Sequence, residues 1–285
     1  MDDVDYCKYH ALGNDYVVMD PARTDLAITP ERVRRICDRH SGVGADGILT
    51  GPHRDGDGVI HVRIFNPDGS EAEKSGNGIR IFARYLWEAG YVATPEFRLR
   101  TAGGDVGIRL LDDRASRVEV DMGTPSFQSG DLHMTGPARE VVDEPLAVEG
   151  EALRVTCVSM GNPHCVVLAA TGDDVTPERA RRLGPSIEVA PVFTQRTNVQ
   201  LAHAEDDRTL RIEIWERGAG YTLASGSSAC AAAAAARRLG RVGDDVEVHM
   251  PGGVLQVRFR ADGHALLTGP VAGVASGRFH RDLIA

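Results

Sequence analysis

The chain has 285 residues and a mass of 30.6 kDa; 42% of residues are hydrophobic, 26% are charged, and the formal net charge is −9. This describes an ordinary globular protein of about two domains and excludes disorder, collagen and coiled coil. The acidic balance argues against a nucleic-acid or anionic-membrane partner, and no apolar run reaches the ~18 residues of a membrane helix.

The opening MDDVDYCKYH is acidic and polar, unlike a basic-then-apolar signal peptide. Five cysteines, Cys7, Cys37, Cys157, Cys165 and Cys230, show no C-x-x-C spacing. An odd number of free thiols fits a reducing compartment, so a cytoplasmic location is expected. Lys8 and Lys74 are the only lysines. A pyridoxal-phosphate enzyme needs a Schiff-base lysine, and only these two positions offer one.

In chain order, TPERVRRICDRH (29–40) reads as a helix with Thr29 as N-cap and Pro30 in its first turn. HVRIFN (61–66) reads as a strand. An eight-residue linker follows, then Ser75-Gly76, then the helix IRIFARYLWEAG ending at Gly90. Strands are expected at 96–101, 105–111 and 117–122, and the Gly-, Pro- and Ser-rich GTPSFQSG (123–130) reads as a join. The pattern then recurs. TPERARRL (176–183) repeats the Thr-Pro helix opening, and RIEIWE (211–216) leads through another eight-residue linker to Ser225-Gly226. The helix ACAAAAAARRLG ends at Gly240, and strands follow at 244–249, 254–260 and 264–267.

The strand, linker, Ser-Gly and terminal glycine recur at an offset of 150 residues. Gly13-Asn14 matches Gly161-Asn162 at 148, Asp46 matches Asn198 at 152, and the Thr-Pro helices match at 147. Ordered landmarks at nearly one offset predict an internal duplication: two homologous α/β halves. The halves are expected at 1–126, completed by 273–285, and at 127–272.

Each Ser-Gly stands where a linker enters a helix, and the free N–H groups and dipole of a helix start favour an anion there. A substrate carboxylate could rest on these amides, with one hydroxyl on either face of the neighbouring carbon. The plainer alternative makes each serine an N-cap, worth ~1 kcal/mol. Asn14, Asn162 and Asn198 suit turns as well as ligands. Arg217 suits an ion pair, although its ERG setting favours a substrate carboxylate. Cys165 and Cys230 read as core residues. His40, His53 and His61 lack ligand-like spacing, so no metal is expected. P-loop, dinucleotide and G-x-S-x-G patterns are missing.

GNDYVVMD (13–20), FNPDGSEAEKSGNGIRIFARY (65–85), GNPH (161–164), RTNV (196–199) and ERGAGYTLASGSSAC (216–230) together resemble the diaminopimelate epimerase family along nearly the whole chain. The resemblance implies two α/β domains related by a pseudo-twofold axis, with the active site in the cleft between them. It implies no cofactor, a small-molecule substrate with a carboxylate, a homodimer, and inversion by two opposed cysteines. Substrate-binding positions carried over are Asn14, Asn66, Gly76, Asn77, Asn162, Asn198, Arg217, Gly226 and Ser227. His164 and Glu216 fall where the family has polar residues assisting the bases. Both family cysteines are serine here, Ser75 and Ser225; Lys74 and Ser228 also depart from the family pattern.

A thiol has a pKa of ~8.5 and a hydroxyl is nearer ~15.7, a gap of about 7 units or on the order of 10 kcal/mol. A helix dipole supplies ~1–2 kcal/mol. A serine base therefore needs a relay. His164 and Glu216 are the candidates for that relay, with Lys74 a third or simply a solvated lysine. The leading expectation is a cofactor-independent epimerase, converting LL- to meso-diaminopimelate for lysine and cell-wall synthesis if the family role persists. Alternatives are a Ser/Ser paralogue acting on a more acidic C–H, a non-catalytic binder of small carboxylates, and an engineered Cys-to-Ser trap.

Overall fold

A computed structural model describes residues 5–54, 56 and 58–284. The chain divides into two units, Met1–Asp121 with Thr268–Ala285, and Met122–Leu267. In the first unit, β1 (Tyr6–Ala11) and β2 (Asn14–Met19) form a hairpin, and α1 (Pro30–Cys37) leads to β3 (Ile48–Arg54). There follow β4 (Ile60–Phe65), the short β5 (Glu71–Ala72), α2 (Gly76–Glu88), β6 (Glu96–Thr101), β7 (Gly104–Leu110) and β8 (Arg117–Asp121). Strands β2 and β3 pair in parallel, as do β4 and β6; the other neighbours are antiparallel.

The second unit repeats this plan. Strands β9 (Glu144–Val148), β10 (Glu151–Ser159) and β11 (Pro163–Leu168) pair antiparallel in succession. Helix α3 (Pro177–Glu188) leads to β12 (Asn198–Ala204), which pairs in parallel with β11. Then come β13 (Thr209–Glu216), β14 (Gly220–Thr222), α4 (Gly226–Arg238), β15 (Asp245–Met250) and β16 (Gly253–Phe259). Again β13 and β15 are parallel across the helix. Strand β17 (Ala265–Pro270) leads back to the first unit, where β18 (Ala272–Gly277) pairs with β1 and α5 (Arg281–Ile284) ends the described chain. Both units therefore run strand for strand alike, the expected duplication.

The join lies earlier than the turn-rich 123–130 suggests. Met122 donates to Ala265 O and Ala265 donates to Gly123 O, each at 2.9 Å, so strand pairing carries residues 122 and 123 into the second unit. The return comes at Thr268 rather than 273. Helix α1 stops at Cys37, short of His40, because the next residue, Asp38, is extended (ψ 127°). Helix α3 runs on to Glu188, five residues past the expected stretch.

Helix α4 touches β10, β11, β12, β13, β15 and β16. Six strands at ~4.8 Å spacing span more than the ~10 Å width of a helix, so the sheet must curl around it. Consistent with that enclosure, Ala229 and Cys230 through Ala236 are all buried. In such a wrap a helix needs small side chains, and alanine also has the best helix propensity. Helix α2 sits likewise against β1, β2, β3, β7 and β8, with bulkier Ile79, Ile81, Phe82 and Leu86 buried. Helices α1 and α3 cover the opposite sheet faces. Val17 and Met19 pack with Val33 and Ile36 of α1, and Cys165 and Val167 pack with Leu183 and Ile187 of α3. Strand alternation then turns Tyr16 toward α2 and His164 toward α4. Among the described residues, no helix is long and apolar enough to cross a membrane.

Gly184 lets α3 lie directly on the Trp215 indole, since a Cβ there would stand 2.4 Å from Trp215 Cγ. Gly184→Ala is expected to lower stability by about 1–3 kcal/mol through overpacking, read as a lower urea midpoint at unchanged slope.

Candidate active site

In the first unit Ser75 is the N-cap of α2: its backbone is extended and its Oγ accepts from Gly78 N–H at 3.1 Å. The N-cap reading of this serine is thus structurally correct, but a cap bond uses only part of a hydroxyl's capacity. Tyr16 places its own hydroxyl 3.2 Å from Ser75 Oγ. Gly78 is tightly placed, because a Cβ there would meet Leu49 Cδ2 at 3.0 Å.

Behind Ser75 runs a polar chain. Arg80, wholly buried, donates to Gly76 O and to Asn77 Oδ1 (2.8 Å). Asn77 Nδ2 donates to Asn14 Oδ1 at 3.0 Å, and Asn14 Nδ2 donates to Asp46 Oδ2 at 3.0 Å. Arg39 joins Asp46 to Asp15, and Lys8 pairs with Asp15 at 2.9 Å. Burial raises the Asp15 carboxyl, but hydrogen bonds from Arg39 and Lys8 outweigh it and hold the group at about 2. Asn14, Ser75, Gly76 and Asn77 therefore come together. Asn66 does not join them: its Nδ2 donates to Ser70 Oγ at 3.0 Å, which closes the β4–β5 turn.

In the second unit Ser225 caps α4, accepting from Ser228 N–H at 3.5 Å. The Glu216 carboxylate accepts from the Thr222 hydroxyl at 3.2 Å and stands next to Ser225. Burial raises the Glu216 pKa, although the neighbouring Ser225 and Thr222 hydroxyls oppose the shift. Gly226 and Ser227 form the first turn beyond the cap. Asn198 ties two loops together: its Nδ2 donates to Pro163 O (2.9 Å) and its Oδ1 accepts from Arg217 N–H (3.0 Å). Arg217 is exposed and holds Gln195 O at 3.1 Å. Glu188 stays almost fully buried, accepting from Trp215 Nε1 (2.7 Å) and Gly218 N–H (3.0 Å), and so fixes the ERG turn from below.

His164 is wholly buried, and its Nε2 lies 3.0 Å from Asn162 Oδ1. Burial lowers its pKa to about 3, the neighbouring Gln200 amide opposes this in part, and the Arg217 charge lowers it further. The ring is neutral at pH 7, with one N–H and one lone pair. It cannot satisfy an amide oxygen at each nitrogen. Gln200 Oε1 and His164 Nδ1 are both buried without a partner, while Gln200 Nε2 is 3.0 Å from Ser228 Oγ. Turning the Gln200 amide over satisfies every group: Oε1 accepts from the Ser228 hydroxyl and Nε2 donates to His164 Nδ1. Ser228, where the family pattern has glycine, thus has a bonding role.

Sequence reasoning missed Tyr16, Arg80, Glu188 and Gln200. One signal was available for Tyr16: it lies two residues after Asn14, as His164 lies two after Asn162. Lys8 was noticed only as a lysine. Among the described residues, no group of three or more His, Cys, Asp or Glu is placed to hold a metal ion.

Two pH effects follow. In folded protein His164 resists protonation from its ordinary pKa of ~6.5 down to about 3. In that window the unfolded chain binds more protons, so stability should fall as pH drops below ~6.5. A histidine ring NMR spectrum at pH 5 should show this ring neutral, with the proton on Nε2. Glu216 has the opposite sign: its raised pKa disfavours the fold increasingly as pH rises above the ordinary glutamate range. Glu216→Gln should therefore raise the urea midpoint at neutral pH, with the gain vanishing near pH 4.

The sequence profile of the diaminopimelate epimerase family matches residues 6–128 and 156–274. A protein named diaminopimelate epimerase 2, from Nostoc sp. (strain PCC 7120 / SAG 25.82 / UTEX 2576), is 46% identical over 280 residues, covering 98% of this chain and 97% of its own. A diaminopimelate epimerase from Moorella thermoacetica is 43% identical over 282 residues, covering 97% and 99%. Among solved structures, a hydroxyproline epimerase from Agrobacterium vitis aligns with a TM-score of 0.67 at 18% identity, over 95% of this chain and 90% of that one. A methylitaconate-delta-isomerase aligns at 0.63 and 15%, over 97% and 95%. These structures share the fold, and the sequence matches decide the family: the chain belongs to the diaminopimelate epimerases.

Proposed function

We propose that this protein inverts a carbon beside a carboxylate without a cofactor, converting LL- to meso-diaminopimelate. The observation that carries the reading is the pair of serine-capped helix starts, Ser75 and Ser225, with the Glu216 carboxylate next to Ser225. A serine hydroxyl is about 7 pKa units harder to ionise than a thiol. Glu216 removes that obstacle by taking the Ser225 proton while Ser225 Oγ takes the substrate proton. Ser75 then returns a proton to the carbon, since inversion needs one base and one acid. Asn14, Asn77, the Gly76 backbone, Asn162, Gly226 and Ser227 supply polar groups for substrate, and the Arg217 guanidinium suits a carboxylate. His164, neutral and bonded to Asn162, orients that amide rather than carrying the proton. Asn66 and Asn198 hold the loops that carry the others.

Of the two lysines, Lys8 is held by Asp15 and the Gly44 carbonyl. The substrate partner is thus a small carboxylate-bearing molecule, and the family likeness adds a homodimer, which light scattering on the purified chain would test. Serine in place of both cysteines favours a second reading, a paralogue acting on a more acidic C–H.

LL-diaminopimelate in deuterated water decides between them. Turnover well below the ~10 s⁻¹ typical of enzymes is expected, with solvent deuterium in the first product molecules and little in unreacted substrate. Ser75→Cys and Ser225→Cys together should raise the rate, and either alone should do little. Glu216→Gln should cost 10²–10⁴-fold. Binding of diaminopimelate with no turnover by the double cysteine variant would favour the paralogue.

A further inference from the structure

We infer that Tyr16 is the proton-relay partner of Ser75, a role that rests on the reading of Ser75 as an acid/base group. Both serines sit at equivalent helix starts, but their surroundings differ. Ser225 has the Glu216 carboxylate. The residue matching Glu216 at the 150-residue offset is Asn66, whose amide neither gains nor gives a proton and is bound to Ser70. Asn66 thus brings Ser75 no carboxylate, and the Tyr16 hydroxyl lies 3.2 Å from Ser75 Oγ.

A phenol suits the task. Its ordinary pKa of ~10 lies between neutral pH and the much higher range of an alkyl hydroxyl, which is close to that of water. When Ser75 gives its proton to the substrate carbon, the Tyr16 proton moves to Ser75 Oγ and the charge rests on the phenolate. In the reverse direction Ser75 Oγ takes the substrate proton as its own proton passes to the phenolate. In each direction one proton enters Ser75 Oγ and one leaves, so no serine alkoxide accumulates. The Gly78 N–H bond to Ser75 Oγ persists throughout and fixes the oxygen. Tyr16 is held for this: it is nearly buried on β2, and Gly47 makes room for its ring, since a Cβ there would come within 2.6 Å of Cε1. Wholly buried Arg80, bonded to Gly76 O and Asn77 Oδ1 in the first turns of α2, adds positive charge to the same half.

Tyr16→Phe removes only the hydroxyl and keeps the ring. In the native serine background it should lower epimerisation at least 100-fold. In a Ser75→Cys background, where a thiol needs no relay, the same change should cost less than about 5-fold. A tyrosine that merely supports the fold would cost the same in both, and that result would overturn the relay. A second readout needs no turnover. The alkylation rate of the thiol introduced by Ser75→Cys, followed against pH by mass spectrometry, reports whether Tyr16 donates to position 75. The native cysteines are all buried and react slowly. With Tyr16→Phe the introduced thiol should titrate about one unit higher, so alkylation near neutral pH slows about tenfold. An unchanged titration would overturn the proposal even if the protein is active. If the native chain leaves diaminopimelate untouched, the function reading falls, while the titration still decides whether Tyr16 serves Ser75.

Discussion

A helix start enclosed by protein must find partners for its free N–H groups, because water cannot reach them and each orphan costs on the order of 1–3 kcal/mol. Both inner helices of this protein begin in that condition: Gly76, Asn77 and Gly78, and Gly226 and Ser228, are buried. The serine caps answer it. Capping and chemistry are not rival explanations here. A serine held by one N–H keeps a lone pair and a proton to share, and Ser225 is itself buried.

Enclosure also explains why so much of the surrounding polarity is structural. Asn198 spends both ends of its amide on two loops. Glu188 holds the turn that presents Arg217. The Asp15, Asp46, Arg39 and Lys8 cluster fixes Asn14, which fixes Asn77. Removing one partner from such a network leaves another group unsatisfied, so these positions are expected to be costly to change even where they touch no substrate.

The two halves share a backbone but not a charge. Near Ser225 stands a carboxylate whose pKa burial raises; in the half that holds Ser75 stand a buried guanidinium and a phenol. The duplicated frame thus places a carboxylate next to Ser225 and a phenol next to Ser75.

Much was legible in the sequence because it is written in local pattern. The Thr-Pro starts, the Ser-Gly entries and the Gly90 and Gly240 stops depend on backbone preferences within a few residues, so the repeat and most elements could be read directly. The family was legible because its motifs keep their order. Side chains that meet across strands were not. Tyr16 reaches Ser75 across 59 residues, and Gln200 reaches Ser228 across 28. Neither meeting leaves a local signature. Nor could the sequence separate Asn14, which joins the network below Ser75, from Asn66, which closes a turn, since both are asparagines beside a strand. Local chemistry determined the frame and named the serines; the curl of each sheet around its helix decided which groups reach them.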